Sequence, residues 1–163
     1  MSFSKISLII TIIFWGVLLG GIVYSHIVFF PVYFSNLPDS AVLVNGKYAL
    51  HEENFWMTIH PVLILLLIIT ITSNWKNNPR RKKILISFVL YAIVLIVSNI
   101  YFIPELINFS KSATSSLPPA EWLRRSNNWM AYSITRGIIM FAGIIPLFIA
   151  LLKPDVNKQK NIA

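Results

Sequence analysis

Hydrophobic and polar positions divide this chain into four long apolar blocks separated by short polar ones. Residues 6–38, 54–75 and 84–104 carry no Asp, Glu, Lys or Arg, and a fourth block, 127–152, is interrupted only by Arg136. A helix rises 1.5 Å per residue, so each block is long enough to cross a hydrocarbon core of about 30 Å. The pattern predicts spans at about 6–30, 54–73, 84–103 and 127–152. A single membrane domain then covers 1–153, followed by a polar tail at 154–163. A signal peptide would end its apolar run at small residues. Here Tyr24, His26 and the Phe29-Phe30-Pro31 sequence stand at that place, so the first block reads as a span.

Turn signals mark the connections. Asn36-Leu-Pro-Asp39 and Asn45-Gly46 fall in the first loop, Asn74 to Lys83 makes a short second one, and Ser110 to Ser116 with Pro118 and Pro119 forms the third. Pro31 and Pro104 are expected to close the first and third spans, and Ser126 or Asn127 to cap the fourth. Pro146 is expected to kink the fourth span, and Pro61 the second beside His60. Gly16, Gly20 and Gly21 give span 1 a small face expected to pack inside the bundle. No internal repeat is visible along the chain.

Composition agrees: 56% of residues are hydrophobic, 12% are charged and mean hydropathy is +0.68, values that place the chain among integral membrane proteins. The net charge of +8 would suggest nucleic acid in a soluble protein. Its distribution argues otherwise. Lys5, the run Lys76, Arg80, Arg81, Lys82 and Lys83, and Lys153, Lys158 and Lys160 all fall on one side, against Lys47, Lys111, Arg124 and Arg125 on the other. The positive-inside rule then sets both termini and the second loop in the cytoplasm. The expected architecture is an all-α, up-down bundle of four transmembrane helices, N-in and C-in, multi-pass in a plasma or bacterial inner membrane. Its partner is the lipid bilayer, not nucleic acid. With no cysteine in the chain, disulfides, thiolate metal sites and thiol redox relays are excluded.

Counting residues from the outer boundary gives depth. His26 lies about four residues before span 1 emerges, His60 about five after span 2 enters, and Arg136 about six into span 4, so all three fall ~6–9 Å below the outer boundary. Asn99, Tyr101 and Glu105 mark the outer end of span 3. The inner part offers only hydroxyls, such as Thr11, Thr70, Ser87 and Tyr91. Ionisable groups inside a membrane are costly, which makes this layer the candidate site. Each member also has a plain structural role open to it. Arg136 can extend to the headgroups or pair with Glu105, and either histidine can serve as a helix-to-helix hydrogen bond. His51-Glu-Glu-Asn54 lacks the second histidine of a zinc motif and reads as a solvated turn. Asn108-Phe-Ser110 fits a glycosylation acceptor on the outer side.

Several segments resemble the anthrone-oxygenase-like family of small four-helix membrane proteins. They are Gly16 to Gly21 followed by Phe29-Phe-Pro-Val-Tyr33 and Ser35-Asn-Leu-Pro38, then Trp129 with Arg136 seven residues later, and Tyr101-Phe-Ile-Pro-Glu-Leu-Ile-Asn108. Glu105 departs from the asparagine usual after that proline. The resemblance implies a four-helix bundle and, for characterised fungal members, oxygenation of a polyketide anthrone to a quinone without an established cofactor. On that chemistry His26 or His60 is the candidate base and Arg136 the oxyanion partner, with Trp56, Asn99, Tyr101, Glu105, Trp129 and Tyr132 as ligand contacts. Two other readings stand beside it. One makes His26 and His60 ligands of a haem, or, with Glu105, of a metal. The other is a non-catalytic membrane subunit or ligand-binding bundle. The sequence leaves open whether the chain is an enzyme and which cofactor, if any, it uses.

Overall fold

The computed structural model describes residues 1–154; the rest of the expected polar tail, with Lys158 and Lys160, lies outside them. Four long helices account for the fold: α1 (Phe3–Tyr33), α2 (Glu52–Ser73), α3 (Asn78–Ser110) and α4 (Pro119–Leu152). Short 3-10 turns at Asp39–Leu43 and Ser112–Thr114 lie in the two outer loops. Helix α1 packs on α2 and α4, α3 packs chiefly on α4, and the α2–α3 seam is the thinnest. The helices thus form a ring in chain order, each antiparallel to its neighbours, with α1 diagonal to α3 and α2 diagonal to α4. The protein is a multi-pass integral membrane protein, and side chains such as Ile13, Leu65, Ile100 and Ile138 face outward, where lipid would cover them.

Every helix extends beyond its apolar span. Hydropathy reports depth in the membrane, whereas helical geometry continues into the polar margins wherever capping allows. Asn77 caps α3, its side-chain oxygen accepting from the Arg80 backbone N–H at 3.2 Å. Helix α4 starts with Pro119 in its first turn, so Ser126 is no cap: it is buried mid-helix and donates to the Leu123 carbonyl at 3.0 Å. Pro61 and Pro146 both lie within unbroken helices.

Pro31 and Pro104 do not end their helices either. Each is preceded by a π turn, Ser25–Phe29 in α1 and Ser98–Phe102 in α3. A proline ring normally meets the carbonyl four residues back. In a π turn carbonyls pair with the fifth residue on, so Ile27 and Ile100 do not need the missing N–H. These turns expose a repeat that hydropathy hides. Ser25-x-Ile-x-Phe-x-Pro31 recurs as Ser98-x-Ile-x-Phe-x-Pro104, and Asn54-x-Trp-Met57 recurs as Asn127-x-Trp-Met130, both at an offset of 73 residues. The α1–α2 hairpin is therefore matched by the α3–α4 hairpin, turn for turn.

Two cores fill the ring. The inner one is aliphatic, built on Leu8, Leu18, Leu63, Leu67, Ile84 and Leu147 around Trp15 and Tyr91. The Trp15 indole donates to the Met140 carbonyl at 3.1 Å, and its ring lies so close to Gly143 that a Cβ there would come within 2.7 Å. Thr11 and Thr70 share a 2.7 Å hydrogen bond below it. The inner end also buries a charge not expected there: Arg80, 1% exposed, donates to the Lys153 carbonyl. The outer core is aromatic, with Phe29, Phe30, Tyr33, Phe34, Phe102, Phe109, Trp122 and Trp129. The glycine face of α1 departs from expectation. A Cβ at Gly16 or Gly20 would meet nothing within 4 Å, and only Gly21 faces a neighbour, the Phe55 and Trp56 rings. The inward stripe of α1 is Leu8, Thr11, Trp15 and Leu18, which turns Gly16 and Gly20 outward.

Candidate functional site

Between the two cores the ring holds a partly open cavity of about 530 Å³, lined also by Val44, Asn45 and Leu50 of the first loop. Of the nine residues singled out from sequence, His26, His60, Arg136, Trp56 and Trp129 line it. All four helices contribute to its wall. The α2–α3 seam forms one side, where Met57 and Ile107 line the cavity while remaining exposed to the outside of the bundle.

Arg136 turns into the cavity instead of extending to the outer surface. Its guanidinium donates from Nη1 to Ser98 Oγ and from Nη2 to Ser133 Oγ, both at 3.0 Å, and lies 4.1 Å above the Phe102 ring. Among the described residues no carboxylate pairs with it. The π turn makes this possible, since Ser98 opens that turn and Phe102 closes it. Trp129 locks the same turn, its indole donating to the Phe102 carbonyl at 3.2 Å.

His26 opens onto the same cluster. Its Nδ1 donates to the Ile22 carbonyl at 2.7 Å, which fixes the tautomer and leaves Nε2 as an acceptor for the Ser133 hydroxyl at 3.0 Å. Ser133 thus accepts from Arg136 and donates to His26. Both ring nitrogens of His26 are engaged, so its geometry suits holding Ser133 and Arg136 in place. His60 differs. Its Nδ1 meets the Tyr91 hydroxyl at 2.7 Å, a bond that ties α2 to α3 at the cavity floor, and Trp56 stacks on its ring at 5.9 Å. Its Nε2 has no protein partner among the described residues. Neutral imidazole with a free Nε2 can exchange a proton with a bound molecule through either tautomer.

Four residues expected in the site lie elsewhere. Glu105 does not pair with Arg136: its carboxylate takes both donors of Arg125, at 2.6 and 2.5 Å, and accepts from Asn108 at 3.1 Å. The extra outer turns of α4 bring Arg125 to it. Asn99 is exposed and donates to the Leu95 carbonyl of its own helix, while Tyr101 and Tyr132 pack edge to face outside the cavity. The trio His26, His60 and Glu105, weighed as metal ligands, is accordingly not assembled. Among the described residues no three His, Asp or Glu side chains cluster as a metal would require.

Two wall residues were missed. Glu53, exposed and paired with His51 at 2.7 Å, and Glu52 both belong to the first turn of α2, not to the solvated loop. The Glu52 carboxylate is partly buried on the cavity wall and accepts from Ser25 at 3.2 Å on each oxygen. The i, i+4, i+8 spacing of Glu52, Trp56 and His60 was the signal that all three share a face. Tyr33 lines the outer wall with a buried hydroxyl that has no protein partner among the described residues. Compared with protein families, curated proteins and solved structures, the chain matches none.

Proposed function

We propose that this protein binds a small, flat, membrane-dissolved aromatic molecule in the outer cavity and oxygenates it, in the manner of the anthrone-oxygenase-like proteins its sequence resembles. One observation carries the reading: a guanidinium held only by neutral hydroxyls lines the same cavity as an imidazole with a free ring nitrogen. A buried cation without a counter-ion is unfavourable unless something electron-rich meets it, and a phenolate or enolate oxygen does so. His60 Nε2 takes the acidic proton of the ligand, and Arg136 holds the resulting oxyanion. Trp56 and the Phe29, Phe30 and Phe102 rings supply flat walls. Dioxygen is the co-substrate, and an anthrone consumes one molecule of it to give the quinone and water. His26 acts as a positioning residue through Ser133.

The test is oxygen uptake by the protein in lipid nanodiscs with 1,8-dihydroxyanthrone, against empty nanodiscs at the same pH. The expected result is protein-dependent uptake that falls by about 10²-fold or more in His60→Ala and Arg136→Gln. Uptake no faster than in empty nanodiscs, or full activity in folded His60→Ala, sinks the oxygenase reading. The haem or metal alternative has one observation in its favour, the same free Nε2 of His60; His26 would have to release Ser133 to serve as the second ligand. A Soret band or stoichiometric metal in the purified protein would replace the cofactor-independent reading with that one.

A further inference from the structure

The 73-residue repeat makes the cavity a pseudo-symmetric site. Ser25 and Ser98, Phe29 and Phe102, and Trp56 and Trp129 are repeat partners, and both members of each pair line the cavity. The duplicated positions build the frame: a serine opening each π turn, a phenylalanine closing it, and a tryptophan from the following helix. The ionisable wall residues break the symmetry. Arg136 corresponds to Leu63, His60 to Ser133, His26 to Asn99 and Glu52 to Arg125.

The paired serines hold groups of opposite charge. Ser98 on α3 accepts from the Arg136 guanidinium, and Ser25 on α1 donates to the Glu52 carboxylate. Because α1 and α3 are diagonal in the ring, the two serines stand on opposite sides of the cavity at matching positions of matching turns. Among the described residues no ion pair joins Glu52 to Arg136, and Glu52 has no cationic partner. Two opposite charges that share a cavity without touching are set to be bridged by what lies between them. We infer that Glu52 is the second pole of this site, and that its ligand is two-ended: an acidic or carbonyl oxygen toward Arg136 and a hydroxyl or N–H donor toward Glu52, on a flat apolar frame.

The inference rests on the cavity taking an aromatic ligand, and the experiment separates the two. Binding is measured by calorimetry on the protein in nanodiscs, corrected for partition into empty ones, with 2,6-dihydroxynaphthalene, 6-methoxy-2-naphthol and naphthalene. Both hydroxylated probes offer an acidic oxygen to Arg136, but only the diol offers a donor at its far end. Wild type is expected to bind the diol about tenfold tighter than the methoxy compound, a hydrogen bond to a charged acceptor being worth that or more. In Glu52→Gln that ratio should fall toward unity while the methoxy compound keeps its affinity. Equal affinity for the two probes in wild type, which needs no variant to fold, overturns the assignment and leaves the aromatic site standing, as does an unchanged ratio in Glu52→Gln. No binding of any probe removes the aromatic site and this pole with it.

Discussion

At the scale of single residues the site is a set of neutral groups arranged to tolerate a charge. Arg136 has two serine hydroxyls and an aromatic face, enough to satisfy some of its five donors but not to neutralise it. Replacing a buried charge by an apolar side chain of similar length is often neutral or stabilising, whereas the charge itself is kept for function. Arg136→Met is therefore expected to leave unfolding stability within about 1 kcal/mol of wild type, or above it, while abolishing binding of acidic phenols. Thermal unfolding in detergent beside the calorimetric titration checks both halves. A strongly destabilised Arg136→Met would mean that the guanidinium is a structural tie and not a ligand group.

At the scale of elements, the two π turns set which side chains reach the cavity. A π turn is one residue more than an α-helix needs, and such bulges concentrate at functional sites. Here each one supplies the serine that anchors an ionisable group. Deleting Asn99 should return α3 to plain α geometry, force the Pro104 ring against the Ile100 carbonyl and withdraw Ser98 and the Phe102 carbonyl from Arg136 and Trp129. An expected loss of about 3 kcal/mol, the scale of an interior proline, together with lost ligand affinity, would show in unfolding and titration. Asn99→Ala is the control. The Asn99 side chain is exposed and bonded to its own helix, so that variant should behave as wild type in both measurements. A deletion variant that still binds as wild type does would deny the turns any role in shaping the site.

At the scale of the whole molecule, depth was legible in the sequence and azimuth was not. Counting residues from a span boundary is a one-dimensional measure, and it put His26, His60 and Arg136 in one layer, where all three line one cavity. The same count put Glu105, Tyr101 and Asn99 there too, but these face away from the cavity, and the helical extension bearing Arg125 claims Glu105. Glu52 was missed because the apolar span starts at Asn54 while the helix starts two residues earlier. The repeat escaped notice because its matching residues are sparse in hydropathy and gain meaning only as the corners of two equal turns. Orientation, finally, rests on charge: among the described residues seven basic side chains flank the end with the two termini and the second loop, against four at the other end, not counting Arg136 between them. A chain without cysteine offers a clean test, since single cysteines can be placed at will. Ser2→Cys and Asn78→Cys lie at the expected cytoplasmic end, and Ser115→Cys at the outer end, all at exposed positions. In intact cells an impermeant maleimide should label Ser115→Cys alone, and the other two only after permeabilisation. Labelling of Ser2→Cys in intact cells would invert the bundle and turn the cavity, with Arg136 and Glu52, toward the cytoplasm. The ligand would then have to reach the cavity from the cytoplasmic half of the membrane.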